Sequence, residues 1–198
     1  DHNVGRILGA LERSGAAGRT RILYSSDHGD NLGVRGLWGK SNAYEESGAI
    51  PLILVGEGVP TGKVVSTPVS LVDLFPTVLD ATGTPAAVED LSLPGRSLLA
   101  VATAPDDPDH TVFSEYHAAG AATGMFMLRR GRWKYVLYVG MRPQLFDLDA
   151  DPEEMNDLAE RPDHAAMLAR FEAELREICD PEAVDAQAKA DQAALVER

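Results

Sequence analysis

Cysteine is almost absent. Among 198 residues there is one, Cys179, so neither an intramolecular disulfide framework nor a multi-cysteine zinc site can form. Long apolar runs are missing as well. Stretches such as Ile50-Pro-Leu-Ile-Leu-Val55 fall far short of the roughly 20 residues a membrane-crossing helix needs. Base is scarce against acid: 18 Lys+Arg face 31 Asp+Glu, a net charge of −13. A general nucleic-acid binder needs the opposite balance, a basic face that neutralises phosphates. What remains is ordinary for a globular chain, with 44% apolar and 25% charged residues, which excludes wholesale disorder. The length suits one domain, or one with an appendage, and can bury a core. The chain opens at Asp1-His2 without Met, straight into helix-like sequence. That start reads as a truncation, so the lack of a leader is uninformative.

The acid is unevenly spread. Residues 147–198 hold 16 acids and 5 bases, net −11, and residues 1–146 hold 15 acids and 13 bases, net −2. Val4, Ile7, Leu8 and Leu11 lie at helical spacing, and Gly15 and Gly18 end that helix. Arg21-Ile-Leu-Tyr-Ser25 follows as a short strand. A helix and then a strand that stops at a polar cluster is half of a wound α/β sheet, in which ligands gather outside the carboxyl ends of the strands. That cluster is Ser26-Asp27-His28-Gly29-Asp30, followed by a Gly-rich loop to Gly48. Ile50 to Val55 predicts a second buried strand. Ser70 to Leu79 predicts a helix with Asp73 in a capping-box position and a bend at Pro76. Residues 83–110 read as a connecting loop.

Beyond it come four short strands, at 111–117, 125–129, 133–138 and 144–147, forming an antiparallel sheet with a hairpin turn at Arg130-Gly131. Asp151-Pro-Glu-Glu154 opens a helical turn. Met167, Leu168, Phe171, Leu175 and Ile178 mark an amphipathic helix, and an Ala-rich, charged tail follows Pro181. Three units are expected: 1–110, 111–180 and an acidic tail, 181–198.

Few residues could carry chemistry. Asp27 and His28 stand side by side at a strand end, and Gly29 allows the sharp turn that would aim both at a metal. A carboxylate with few nitrogen partners suits Ca²⁺, Mg²⁺ or Mn²⁺ rather than a closed zinc site. The spacing alone fits equally well a capping Asp27 with His28 packed in the loop. Lys40, after Leu37-Trp-Gly39, could stabilise charge on a leaving oxygen, or be a solvated surface lysine. His117 ends a strand before the small residues Ala118 to Thr123, as a pocket contact, a general acid or a hydrogen-bonded strand end. Cys179 reads as structural or incidental. Arg129, Arg130 and Arg132 read as a solvated turn or as ion-pair donors to the acidic region, and Asp30 as a loop-shaping carboxylate.

Taken in order, Ser26-Asp-His-Gly-Asp30, Gly36-Leu-Trp-Gly-Lys40, Tyr44-Glu-Glu-Ser47, Ile50-Pro-Leu52 and Val69 to Leu79 resemble the C-terminal half of a type I, formylglycine-dependent sulfatase of the alkaline phosphatase-like superfamily. Gly131-Arg-Trp-Lys-Tyr135 and Leu145 to Glu154 resemble that family's antiparallel subdomain, and Ile178 to Asp185 is most similar to choline-sulfatase-like members. The resemblance implies an α/β fold, a partial wound sheet followed by a small antiparallel sheet with a packed helix. It implies Asp27 and His28 as two ligands of a divalent cation, Ca²⁺ first and Mg²⁺ or Mn²⁺ next. His28 stands where relatives have Asn. It implies Lys40 as the contact to the sulfate and its leaving oxygen, with His117 a pocket candidate outside any firm motif.

The family nucleophile, a Cys or Ser in Cys/Ser-x-Pro-x-Arg oxidised to formylglycine, and the remaining metal carboxylates are expected upstream of this chain. The expected substrate is a small-molecule sulfate ester, with no nucleic-acid or membrane partner. The C-terminal helix and tail offer a homo-oligomer surface, and a cytoplasmic location is favoured over a periplasmic or secreted one. The alternatives are a phosphonate or phosphate ester hydrolase of the same superfamily, or a non-catalytic assembly module.

Overall fold

A computed structural model describes residues 1–118 and 121–196. Ala119 and Gly120, within the small-residue stretch noted after His117, and the last two residues of the tail lie outside the described residues. The elements in chain order are α1 (His2–Arg13), β1 (Ile22–Ser25), α2 (Glu45–Gly48), β2 (Leu52–Val55), α3 (Leu74–Thr82), α4 (Leu98–Thr103), β3 (Thr111–Tyr116), β4 (Met125–Arg130), β5 (Trp133–Tyr138), β6 (Gln144–Asp147), α5 (Ala165–Ile178) and α6 (Pro181–Val196). Among the described residues no helix is long and apolar enough to cross a membrane.

The chain divides into two units that interleave in sequence. The first holds Asp1–Asp27, Ile50–Val65 and Val69–Asp106. In it β1 and β2 pair antiparallel, from Ile22 opposite Val55 to Ser25 opposite Leu52, and β1 runs out into Ser26 and Asp27. The capping box forms as its spacing predicts: Asp73 accepts the Ser70 N–H at 2.8 Å, and its second oxygen takes the Arg96 N–H at 2.8 Å. The helical stretch changes from 3-10 to α at Leu74, so Pro76 sits in the first α turn, where no helical hydrogen bond is lost.

Residues 83–110 are not all loop, because α4 lies within them. Ser97 caps it, Leu98 and Val101 are buried, and the Leu98 N–H bonds to Thr77 Oγ1 at 2.7 Å. Six residues are too few to show a helical period, so its partner α3 defines it.

The second unit holds His28–Ala49, Ser66–Pro68 and Asp107–Arg198. Its sheet is an antiparallel meander in the order β3-β4-β5-β6. Alternation assigns the two faces. Phe126, Leu128, Tyr135, Leu137 and Leu145 form one core with Phe171 and Leu175 of α5, and Tyr135 stacks on Phe171 at 5.9 Å. The helix face read as available to a second copy is therefore spent on the chain's own sheet. Ile178, expected on that face, is exposed where α5 ends.

On the other sheet face Met125 and Val136 cluster with Ala43, and Tyr116, Met127 and Tyr138 pack around them. The hairpin pairs Arg130 with Trp133, which makes its turn Gly131-Arg132, one residue later than expected; Gly131 has φ 50°, as such a two-residue turn requires. Asp151 to Glu154 form a turn and not a helical start. Glu154 has φ 51°, outside the helical region, and its carboxylate is bound by Lys134. The expected cut at 110 lies near the junction at 106, but residues 28–49 group with the later sheet because Lys134, Glu153 and Glu154 hold them. The acidic tail is helical through Val196 and docks through buried Pro181 and Asp185.

Candidate active site

In the polar cluster after β1, Asp27 ends a segment of the first unit and His28 begins a segment of the second. Asp27 is exposed, and its carboxylate lies 3.4 Å from Ser26 Oγ. His28 Nδ1 is 2.8 Å from the carbonyl oxygen of Gly29, and its Nε2 meets the Lys40 ammonium. A carbonyl only accepts and an ammonium only donates, so both contacts select the tautomer with its proton on Nδ1 and its lone pair on Nε2. A backbone carbonyl on one ring nitrogen is what orients a histidine that ligates through the other.

The loop that carries Lys40 is held at many points. The carbonyl of Gly39 accepts the Asn31 backbone N–H at 2.8 Å and the Asn31 side-chain amide at 2.5 Å; Asn31 is completely buried. The carbonyl of Lys40 accepts Ser47 Oγ at 2.5 Å. The Gly29 N–H donates to Ser47 O at 2.9 Å, and a Cβ on Gly29 would lie 2.0 Å from the carbonyl oxygen of Glu46. Only glycine fits that approach.

Arg35 ion-pairs with Glu46 at 2.6 Å, lies 4.2 Å from the centre of the Tyr44 ring and donates to the carbonyl of Glu153. Burial raises the Glu46 carboxyl, but backbone N–H donation, Arg35 and Lys134 together hold it below the usual carboxylate range. Arg35 itself has φ 53°, a conformation kept only where the surroundings over-determine it. Asp30 shapes the loop, as its sequence position suggested, by accepting the Leu32 N–H at 2.9 Å.

Beside Lys40 in the chain, Ser41 Oγ is 2.9 Å from the Tyr116 hydroxyl. Both line a cavity of about 440 Å³ with Thr123, Met125, Tyr138 and Met141, within the 300–1,000 Å³ range of small-molecule pockets. None of these side chains carries a formal charge at neutral pH.

The structure brings His28 and Lys40 together, and the contacts of His117 are with its own sheet and α6. Its ring packs edge-on to Phe126 at 5.2 Å, Nε2 lies 3.4 Å from Glu115, and its carbonyl accepts the Gln192 amide. These are contacts of a strand-end residue under α6. Cys179 caps α5, and burial pushes its thiol up. The basic cluster makes ion pairs: Arg129 with Glu45, Arg130 with Glu174, Arg132 with Asp147.

Sequence reasoning passed over one literal match to the nucleophile pattern, Ser92-Leu93-Pro94-Gly95-Arg96. Ser92 is exposed. A Cβ on Gly95 would lie 2.5 Å from the carbonyl of Val72, and the Arg96 N–H bonds to Asp73. These residues form the approach to α4, a packing role. Asn31, Arg35, Ser47, Lys134 and Glu154 were also missed. Only Lys134 left a signal, as the charged member of the alternation Lys134, Val136, Tyr138.

The residues present fit part of a cation site. His28 Nε2 is the ring nitrogen that could ligate once the Lys40 ammonium leaves it, and a carboxylate precedes it. Among the described residues no group of three or more His, Cys, Asp or Glu side chains is arranged to hold a metal ion.

Comparison with known proteins decides the family. The family model described as Sulfatase matches residues 1–84. Arylsulfatase K of Danio rerio is 37% identical over 190 residues, 91% of this chain and 35% of its own length. Choline-sulfatase of Rhizobium meliloti (strain 1021) is 38% identical over 200 residues, 98% of this chain and 38% of its own. The chain belongs to the sulfatase family. Two solved structures share the fold. BT4656, solved in complex with its substrate D-glucosamine-2-N,6-O-disulfate, superposes with a TM-score of 0.76 at 28% identity, covering 96% of this chain and 38% of that one. The phosphonate monoester hydrolase of Agrobacterium radiobacter gives 0.75 at 29% identity, covering 87% and 37%. This sulfatase-family chain thus spans little more than a third of the length of these relatives, and its fold is a partial alkaline phosphatase-like α/β arrangement with a small antiparallel sheet.

Proposed function

We propose that the intact enzyme containing this chain hydrolyses sulfate monoesters. The observation that carries the reading is the contact of the Lys40 ammonium with His28 Nε2, on residues whose motifs match the family in order. Lys40 supplies a positive charge and N–H donors where negative charge develops on the departing oxygen, and such preorganised donors act chiefly on the transition state. Asp27 and His28 are the two residues of this chain that would hold a divalent cation, Ca²⁺ first. When bound, the cation neutralises sulfate oxygens and polarises the sulfur centre. Gly29, Asn31 and Ser47 fix the backbone beside His28 and Lys40, so only the lysine side chain need turn from His28 to the ester. The uncharged cavity beginning at Ser41 would receive the organic half of the ester. The formylglycine nucleophile that the family likeness implies is assigned outside residues 1–198.

The likeness to a phosphonate monoester hydrolase favours a second reading with the same lysine and cation ligands and phosphorus in place of sulfur. Turnover of aryl sulfates and aryl phosphonate monoesters by the intact enzyme separates the two. Preference for the sulfate is expected. Phosphonate turnover without sulfate turnover would establish the second reading, and no turnover of either would leave a non-catalytic module.

A further inference from the structure

Two motifs of the antiparallel subdomain have no part in the chemistry above, Gly131-Arg-Trp-Lys-Tyr135 and Asp151-Pro-Glu-Glu154. They meet at one point. Lys134 of β5 and Glu154 are both buried, with side chains 2% and 0% exposed and Nζ 2.8 Å from Oε1. The ammonium has three donors, and three acceptors surround it: Glu154, the carbonyl of Ala43 at 2.8 Å, and Glu45 Oε1 at 2.5 Å. The second oxygen of Glu154 accepts the Glu45 N–H at 2.7 Å. The pair therefore grips two backbone groups on either side of Tyr44, at the entrance to α2.

From there the hold continues to the site in two steps. The Ser47 and Gly48 N–H groups bond to the carbonyl of Tyr44 at 2.9 and 2.8 Å, closing α2. Ser47 then binds Lys40 through its hydroxyl and Gly29, the residue after His28, through its carbonyl. The whole path runs inside one unit.

We propose that Lys134 and Glu154 form a clamp that positions Lys40 and His28 by fixing the backbone of residues 43–47. Stability alone does not explain the pair. Burying two charges costs several kcal/mol per ion, and well-packed apolar side chains of similar volume commonly serve as well or better. Val136 and Tyr138 line the same sheet face beside it. What an apolar pair could not do is hold a carbonyl and an N–H of the segment leading from Lys40. Lys134 and Glu154 are positioning residues, acting on the ester only through Lys40. The effect on turnover rests on the sulfatase reading, whereas the clamp itself rests on geometry alone.

The test uses the intact enzyme and a series of sulfate esters graded by leaving-group pKa. A displaced Lys40 costs most where the leaving oxygen most needs stabilising. Lys134→Met is expected to lower kcat at least tenfold for poor leaving groups and much less for 4-nitrophenyl sulfate, with KM little changed. The Lys134→Met/Glu154→Gln double variant removes the uncompensated buried charge, so its Tm should recover while the steeper leaving-group dependence persists. Where Lys134→Met does not fold, Glu154→Gln alone, which keeps size and an acceptor oxygen, reads the same dependence.

A wild-type dependence in these variants, or activity recovering together with Tm, overturns the clamp. Wild-type enzyme that hydrolyses no sulfate ester defeats the sulfatase reading instead. Amide exchange then still decides: selective loss of protection over residues 39–47 in the variants supports the clamp, and unchanged protection overturns it.

Discussion

Lys40 and His28 show what one contact can decide. In sequence each is ambiguous, a surface lysine and a loop histidine as readily as a catalytic pair. Together they select the imidazole tautomer, because the ammonium only donates and Gly29 has taken the other ring nitrogen. Lys40→Ala in the intact enzyme should lower kcat by about 10²–10³-fold, the usual cost of removing one preorganised donor, with the greatest loss for poor leaving groups. Ser92→Ala should leave kcat unchanged despite its pattern match; steady-state kinetics on both variants checks the pair, and a collapse with Ser92→Ala would move the nucleophile into this chain.

A second prediction at this scale concerns Gly29. A methyl group there would sit 2.0 Å from a backbone oxygen, which cannot swing aside as a side chain could. Gly29→Ala should lower stability by roughly 1–3 kcal/mol or more and shift the thermal midpoint down. Glycine was legible there as a turn, but its close approach to Glu46 was not, since Glu46 arrives from a distant point in the loop.

Among the elements, α6 depends on acid–base state. Asp185 is buried on it and accepts the Gly124 N–H at 2.6 Å from the start of β4. The Lys189 ammonium, 2.7 Å away, holds the Asp185 carboxyl below the usual carboxylate range; burial opposes this and the Gly124 N–H supports it. At the α5–α6 corner the Arg176 guanidinium, paired with Glu182 at 2.9 and 3.0 Å, lowers that carboxyl to about 2. Unfolded carboxyls titrate near 3.9 for Asp and 4.3 for Glu. Both groups bind protons more weakly when folded, so their stabilisation is complete above these unfolded values and is lost as pH falls below them, for Glu182 toward about 2.

The docking of α6 should therefore loosen in that window, read as faster amide exchange in residues 181–196. Asp185→Asn should remove part of the pH dependence of the melting temperature; an unaltered dependence would show that Asp185 contributes nothing. Sequence patterning was informative here in proportion to length and period. The capping box of Ser70 and Asp73 and the apolar alternation of β4 and β5 were readable because they are local. Helix α4 was not, being six residues defined by Thr77, nor was the turn at Glu154, whose left-handed backbone is held by Lys134.

Across the whole molecule the acid is concentrated after residue 146, where Glu174 and Asp147 pair with Arg130 and Arg132 and Asp180 accepts an N–H in the first turn of α6. The segment with Asp27, His28 and Lys40 is close to neutral, so a bound divalent cation would dominate its field. Two outcomes follow for turnover. Chelation by EDTA should abolish sulfate ester hydrolysis by the intact enzyme, with Ca²⁺ restoring it, whereas purified 1–198 should show no hydrolysis at any metal concentration if the nucleophile is placed, as proposed, outside it. Hydrolysis by 1–198 would refute that placement.

Sequence by itself determined the family, the order of its motifs, most of the strands and the chemical identity of the candidate ligands, because each resides in short contiguous stretches where spacing carries the information. Tertiary structure alone decided that Gln192 of α6 reaches the carbonyl of His117, that residues 28–49 are built into the antiparallel subdomain, and that Lys134 and Glu154 meet. Those facts depend on groups 20 to 118 residues apart, and no local pattern encodes which buried ammonium will find which carboxylate.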